Sequence, residues 1–325
     1  MNALDTLFSP VVMFFALGLF AALLRSPMSV PQSFAKGLAI YLMMAIGLKG
    51  GVEMSKTALD GQVFAVFGAA TVLSFGLPFI AYAALRVTSG LSKTDAAATA
   101  GHYGSISIVT FVAAIDALRI AGIPSSGYLV AVAAIMETPA IITALWLAMR
   151  GARNDAADDV ARDKGELARE VLLNASIVVL IGALIIGAVA GEEGYERLSA
   201  FFTAPFQGIL CLFMLDMGLN AGRGLRRGWR KLGLAPIAFG LYMPLIGAVI
   251  AALIGTLIGL PPGDKALLMV LSASASYIAV PAAMRLALPE SDPSVYLTLS
   301  LGVTFPFNIA IGIPLYIAVA SMLSG

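Results

Sequence analysis

The only histidine of the chain stands in a run of small polar residues, Thr99-Ala100-Gly101-His102-Tyr103-Gly104-Ser105-Ile106-Ser107. A second run, Ser272-Ala273-Ser274-Ala275-Ser276-Tyr277-Ile278-Ala279-Val280-Pro281, alternates three serines and ends in a helix-breaking proline. A helix broken at such a run frees backbone N–H groups at the start of its second half. That end carries positive partial charge and binds anions. Gly101, His102, Tyr103, Gly104, Ser105, Ser107, Ser272, Ser274 and Ser276 are therefore candidate anion ligands. A third constellation is Glu137-Thr138-Pro139, with Thr304, Pro306 and Asn308 at the corresponding place near the C-terminus, and Asp216 between them. Carboxylate, hydroxyl, amide and carbonyls freed by proline make an all-oxygen set. Such a set suits a hard cation such as sodium and no transition metal, although a proton on Glu137 would serve the same coupling. Each group also has a plainer reading. Glycine and serine allow close helix packing, His102 could be a neutral core histidine, and Glu137 could hydrogen-bond across helices. Asp216 could approach the aqueous side or pair with Arg223.

The elements that must position these residues are membrane spans. Of the 325 residues, 59% are hydrophobic and 12% charged, about half the charge of a soluble domain, so lipid is the expected solvent. A net charge of +1 argues against nucleic acid as a partner, and the lone Cys211 excludes a disulfide or thiolate metal site within one chain. The N-terminus lacks a basic n-region and a cleavage site, so the first apolar run is expected to stay as a span. At about 20 apolar residues per crossing, ten runs are predicted: 8–24, 34–53, 62–85, 95–115, 126–149, 170–190, 197–222, 234–259, 264–286 and 294–323. The connections after odd-numbered spans, with the span ends that flank them, hold 15 of the 20 Lys and Arg residues. The positive-inside rule makes that side cytoplasmic and puts both termini outside. The charged stretch 151–169 reads as a cytoplasmic linker, or as a docking site for a cytosolic regulator. Trp146 and Trp229 fit interfacial positions, and the Arg223–Lys231 cluster fits the positive-inside signal.

The linker divides the chain into a first five-helix repeat, 1–150, and a second, 170–325. Gly47-Leu48 and Gly51 return as Gly218-Leu219 and Gly222 at a spacing of 171. Asp95 precedes Ser105-Ile106-Ser107 by the interval at which Asp264 precedes Ser274-Ala275-Ser276. Pro78 and Pro244 interrupt the third spans, and Glu137-Thr138-Pro139 answers Thr304-Phe305-Pro306 in the fifth. Because five is odd, the second repeat enters the membrane upside down. The predicted fold is thus an all-α integral membrane protein of ten transmembrane helices, built as 5+5 inverted repeats, with two broken helices crossing near the bilayer midplane. Secondary transporters use that arrangement for alternating access. A Ser- and Gly-lined crossing favours a small anion over an organic one, and neither break carries the paired acids expected of a cation/proton antiporter. An intramembrane hydrolase using Ser105 and His102 would lack a third group. One histidine and one cysteine cannot build a zinc centre.

The Gly101-His102-Tyr103-Gly104-Ser105-Ile106-Ser107 stretch with Val109-Thr110-Phe111, together with Gly47-Leu48-Lys49-Gly50-Gly51 and Met136-Glu137-Thr138-Pro139-Ala140, resembles the sodium-dependent bicarbonate transporter family (SbtA-like permeases). The likeness covers essentially the whole chain. It implies sodium/bicarbonate symport across a bacterial inner membrane, a homotrimer, and two subdomains that move relative to each other. In cyanobacterial members it further implies inhibition by a PII-like trimer on the cytoplasmic face. Carried onto this chain, the resemblance puts substrate at Gly101 to Ser107 and Ser272 to Ser276. The cation would sit close by, near Glu137, Thr138 and Asn308.

Overall fold

A computed structural model describes residues 9–56, 60–151, 175–277, 280–281, 283–284, 288 and 290–323. The expected linker 151–169 lies outside these residues apart from Gly151. Within them the protein is all-helical. Its helices are α1 (Pro10–Leu23), α2 (Gln32–Lys56), α3 (Gly61–Thr88), α4 (Lys93–Gly104), α5 (Ile108–Ala121), α6 (Leu129–Ile135), α7 (Pro139–Gly151), α8 (Ala175–Phe202), α9 (Phe206–Leu232), α10 (Leu234–Leu257) and α11 (Pro262–Ala273). A last run spans 293–322 as α12 (Pro293–Leu297), α13 (Phe305–Phe307) and α14 (Ile313–Met322), joined by π-helical stretches Thr298–Thr304 and Asn308–Gly312. Side chains such as Phe64, Val72, Val189, Leu253 and Leu257 are exposed on the outer faces, as expected when the surroundings are hydrocarbon rather than water.

Among the described residues, seven helical runs are long and apolar enough to cross a membrane: Gln32–Lys56, Gly61–Thr88, Lys93–Ala121, Leu129–Ala148, Val178–Phe202, Leu234–Leu257 and Pro293–Met322. Ten were expected, and the three others differ for physical reasons. α1 has 14 residues, short of the roughly 20 a straight crossing needs. α9 carries Asp216, Arg223, Arg226, Arg227, Arg230 and Lys231 along one helix, which lowers its hydropathy. α11 stops after 12 residues at the second serine run. The boundary expected at 191–196 opens at Gly191, whose non-helical backbone (φ 64°, ψ −167°) suits glycine and divides α8 into two helical stretches; the second runs on to Phe202 and presents exposed Glu192, Glu193 and Arg197.

Two helix pairs pack backbone to backbone. A Cβ on Gly18 of α1 would strike the Leu215 carbonyl of α9, and one on Gly218 would strike that of Phe15. In the other pair, Gly51 of α2 faces the Leu184 carbonyl of α8, while Gly187 faces that of Leu48. Small residues allow this approach, and dispersion over the close contact holds the pair where lipid offers no hydrophobic drive.

Two carboxylates tie the broken helices to the helices that follow. Asp95, in the first turn of α4, accepts the backbone N–H of Asp292 just before α12 (2.8 Å). Asp264, in the first turn of α11, accepts the N–H of Ser126 (2.6 Å) and the hydroxyl of Tyr128 (2.9 Å) just before α6. Each acid therefore fastens a segment contributed by the other half of the chain. The first-turn placement also suits the positive end of its helix.

Candidate functional site

The α4–α5 span breaks at Ser105-Ile106-Ser107, as its Gly/Ser composition predicts. Ser105 is extended (φ −92°, ψ 161°), and Ser107 caps α5 by accepting the Thr110 N–H (3.2 Å). The α11 span breaks at Ser274, also extended (φ −84°, ψ 164°). The two breaks cross in contact. Ser107 N–H donates to Ser274 Oγ (2.9 Å), Ser276 N–H donates to the His102 carbonyl (2.8 Å), and His102 Nδ1 lies 2.5 Å from the Ser276 carbonyl. Each break thus supplies hydrogen-bond partners that the other loses by leaving the helix. Gly247 of α10 lets the Ser272 carbonyl approach, and Gly104 packs on the ring of Pro78 inside α3. Gly101 has no room for a Cβ against Ala144 of α7 (2.7 Å). Both glycines of the first run therefore have a packing role.

The serines divide into two groups. Ser107, Ser274 and Ser276 hold the crossing together: Ser274 Oγ also donates to the Leu271 carbonyl (2.8 Å), and Ser276 Oγ accepts the Val280 N–H (3.5 Å). Ser105 and Ser272 are buried with hydroxyls that have no partner among the described residues, as are Thr99, Thr110 and Nε2 of His102. Buried polar atoms are nearly always satisfied, so this pool of unmet donors and acceptors beside two helix breaks marks a place for a polar ligand. Thr99 and Thr110 were not among the residues the sequence singled out as ligands. They sit nearly two turns before and about one turn after the break, and their type is the only signal that could have found them.

Glu137 occupies a third break, the non-helical step Met136-Glu137-Thr138 between α6 and α7. Its carboxyl is buried, Thr138 is half-buried, and Ser74 of α3 fixes the segment by donating to the Met136 carbonyl (2.7 Å). The counterpart region keeps its helix but winds it as π turns, which leave carbonyls irregularly paired and often mark functional segments. Thr304 Oγ1 donates to the Gly240 carbonyl (2.6 Å) and accepts from Tyr103 Oη (2.6 Å). Tyr103 is thereby turned from the break toward α10. Asn308 donates to the Ala273 carbonyl at the end of α11 (2.8 Å) and accepts from Tyr316 (3.0 Å). Thr304 and Asn308 are thus joined to the crossing breaks. No hydrogen bond among the described residues joins either of them to the Glu137 carboxylate. Asp216 lies apart on α9, accepting the Asn220 amide (3.1 Å).

A family model described as the Na+-dependent bicarbonate transporter superfamily matches residues 10–321. A curated protein of Bradyrhizobium diazoefficiens, named an uncharacterized transporter (bll3475), is 30% identical over 126 residues, which are 38% of this chain. The match spans 24% of that relative's length.

Proposed function

Because the chain belongs to the Na+-dependent bicarbonate transporter superfamily and is a multi-pass membrane transporter rather than an enzyme, we propose that it carries bicarbonate into the cell together with sodium. The observation that carries this reading is the crossing of two helix breaks with buried, unpartnered serine hydroxyls beside it. A planar oxyanion held there would meet hydroxyl donors and the positive start of α5. These supply charge-assisted hydrogen bonds, the stronger kind. The substrate ligands are Ser105, Ser272 and His102, with Gly101, Tyr103, Gly104, Ser107, Ser274 and Ser276 shaping the crossing.

Sodium binds first, at the carboxylate of Glu137, the Thr138 hydroxyl and the oxygens of the Thr304–Asn308 region, with Asp216 as an outlying candidate. Its charge then offsets that of the anion, so that one sodium per bicarbonate makes a neutral cargo. Ten spans in two inverted repeats, 1–150 and 170–325 around the cytoplasmic segment 151–169, provide the alternating access. Two observations support that symmetry. The helix pairs α1–α9 and α2–α8 use glycines at corresponding positions, and the carboxylates of Asp95 and Asp264 clasp corresponding segments. External termini follow in this reading from the positive-inside charge asymmetry, and a bacterial inner membrane, a homotrimer and a PII-like cytoplasmic regulator belong to it through the resemblance alone.

The test is uptake of labelled bicarbonate into proteoliposomes under an inward sodium gradient, with potassium as control. Sodium-dependent accumulation is expected. Uptake of sulfate or a small carboxylate in its place would keep the carrier and replace the substrate.

A further inference from the structure

His102 is fully buried, and its ring stacks on Tyr296 at 4.5 Å between centroids. Its Nδ1 is 2.5 Å from the Ser276 carbonyl oxygen. A carbonyl only accepts, so Nδ1 carries the hydrogen. A second proton on Nε2 would bury a charge for which the ring has no ion-pair partner among the described residues. The ring is therefore neutral, and Nε2 presents a lone pair that accepts and cannot donate. The other unpartnered atoms at the two breaks, on Ser105, Ser272, Thr99, Thr110 and Tyr277, are hydroxyls that can turn to donate or accept. His102 Nε2 is the member of this group with a fixed sense.

An anion brought against a fixed lone pair is repelled unless it carries a hydrogen of its own. We propose that His102 is a specificity-determining residue that accepts the O–H of the substrate, so that the site takes hydrogen-bearing oxyanions and rejects aprotic anions of the same size and charge. This rests on the crossing being the substrate site. Bicarbonate offers one O–H to Nε2 and two unprotonated oxygens to the serine hydroxyls. Nitrate has the same planar shape and charge without the hydrogen, and acetate replaces the hydroxyl by a methyl group. The Nδ1 clasp does two jobs in this scheme. It joins the breaks, and it fixes which ring nitrogen faces the ligand with a lone pair.

The experiment is competition against labelled bicarbonate uptake in proteoliposomes of the full chain at a fixed sodium gradient, with nitrate and acetate as competitors. Direct uptake of labelled bicarbonate, phosphate, nitrate and acetate is measured alongside. Leaving a buried acceptor unmet weakens binding about tenfold to a hundredfold. Nitrate and acetate should therefore compete at least tenfold more weakly than unlabelled bicarbonate. His102→Asn keeps an amide N–H near the Nδ1 position to bond Ser276 and removes Nε2. It should weaken bicarbonate about tenfold and, with the repelling lone pair gone, let nitrate and acetate compete at least as well as in the parent, collapsing the ratio. Parent protein that accepts nitrate or acetate as readily as bicarbonate overturns the proposal, while the bicarbonate carrier stands. A folded His102→Asn protein that keeps the parental ratio overturns it as well. Uptake confined to phosphate would remove bicarbonate as substrate and support the role of His102. Absence of uptake for every anion would remove the transport premise and the proposal with it.

Discussion

Two serines only two residues apart should respond in opposite ways to the same truncation. Ser274 Oγ accepts the Ser107 N–H and donates to the Leu271 carbonyl, and the residue is 1% exposed. Ser274→Ala therefore strands a buried backbone donor at the crossing. That costs about 1–3 kcal/mol, with up to about 1 kcal/mol more for the second bond. Ser272 Oγ has no partner among the described residues. Removing it strands nothing, so stability should hold within about 0.5 kcal/mol. Its loss is felt by the anion instead. A hydrogen bond to a charged group is worth about 1.5–3 kcal/mol, which is a rise of at least tenfold in the bicarbonate concentration for half-maximal uptake. Thermal unfolding of the purified protein followed by size-exclusion fluorescence, beside uptake kinetics in proteoliposomes, reads both quantities. Ser274→Ala should melt several degrees lower, and Ser272→Ala should melt with the parent but transport with weakened affinity. Equal melting temperatures for the two variants would refute the division of the serines into fasteners and ligands. Parental affinity in Ser272→Ala would refute the placement of the anion.

Gly104→Ala drives a Cβ into the Pro78 ring and toward the Ser74 carbonyl, both on a rigid helix, and should cost about 1–3 kcal/mol, read as a lower melting temperature and poorer monodispersity. Glu137→Gln keeps the size of a buried side chain at the α6–α7 break while removing its charge. The sodium concentration for half-maximal uptake should rise several-fold, and a parental sodium dependence would remove Glu137 from the cation site.

Much of this architecture is written in residue types. Glycine and serine at 101–107, and alternating serine at 272–276, are poor company for a continuous apolar helix, and both spans break there. Pro139 likewise announces the step at Glu137, because proline cannot supply an N–H to the preceding turn. Other features depend on partners distant in sequence. Ser274 becomes a fastener only because Ser107, 167 residues earlier, offers it an N–H, and no local pattern separates it from Ser272. Tyr103 sits in the most distinctive motif of the chain, yet its hydroxyl is taken by Thr304, 201 residues away. The π turns around Thr304 and Asn308 follow an apolar pattern that also fits an ordinary helix. The boundary expected near 191–196 falls at Gly191, but it is a single-residue break rather than a loop, because Glu192, Glu193 and Arg197 form an exposed face of the helical stretch beyond it.

The clasps at Asp95 and Asp264 also bear on how the chain is made. Ser126 meets its carboxylate 138 residues further along, and Asp95 waits 197 residues for Asp292. At about 5–20 residues per second of synthesis, the first half of the chain spends roughly 7–30 s with the α5–α6 connection unfastened. The α4 clasp stays open longer still. Neither half can reach its final arrangement while the other is missing, so the broken helices are set late, when the two halves of the chain close upon each other. A ribosome that stalls in the second half of the chain would leave a first half already helical but with its clasp at Ser126 still unmet.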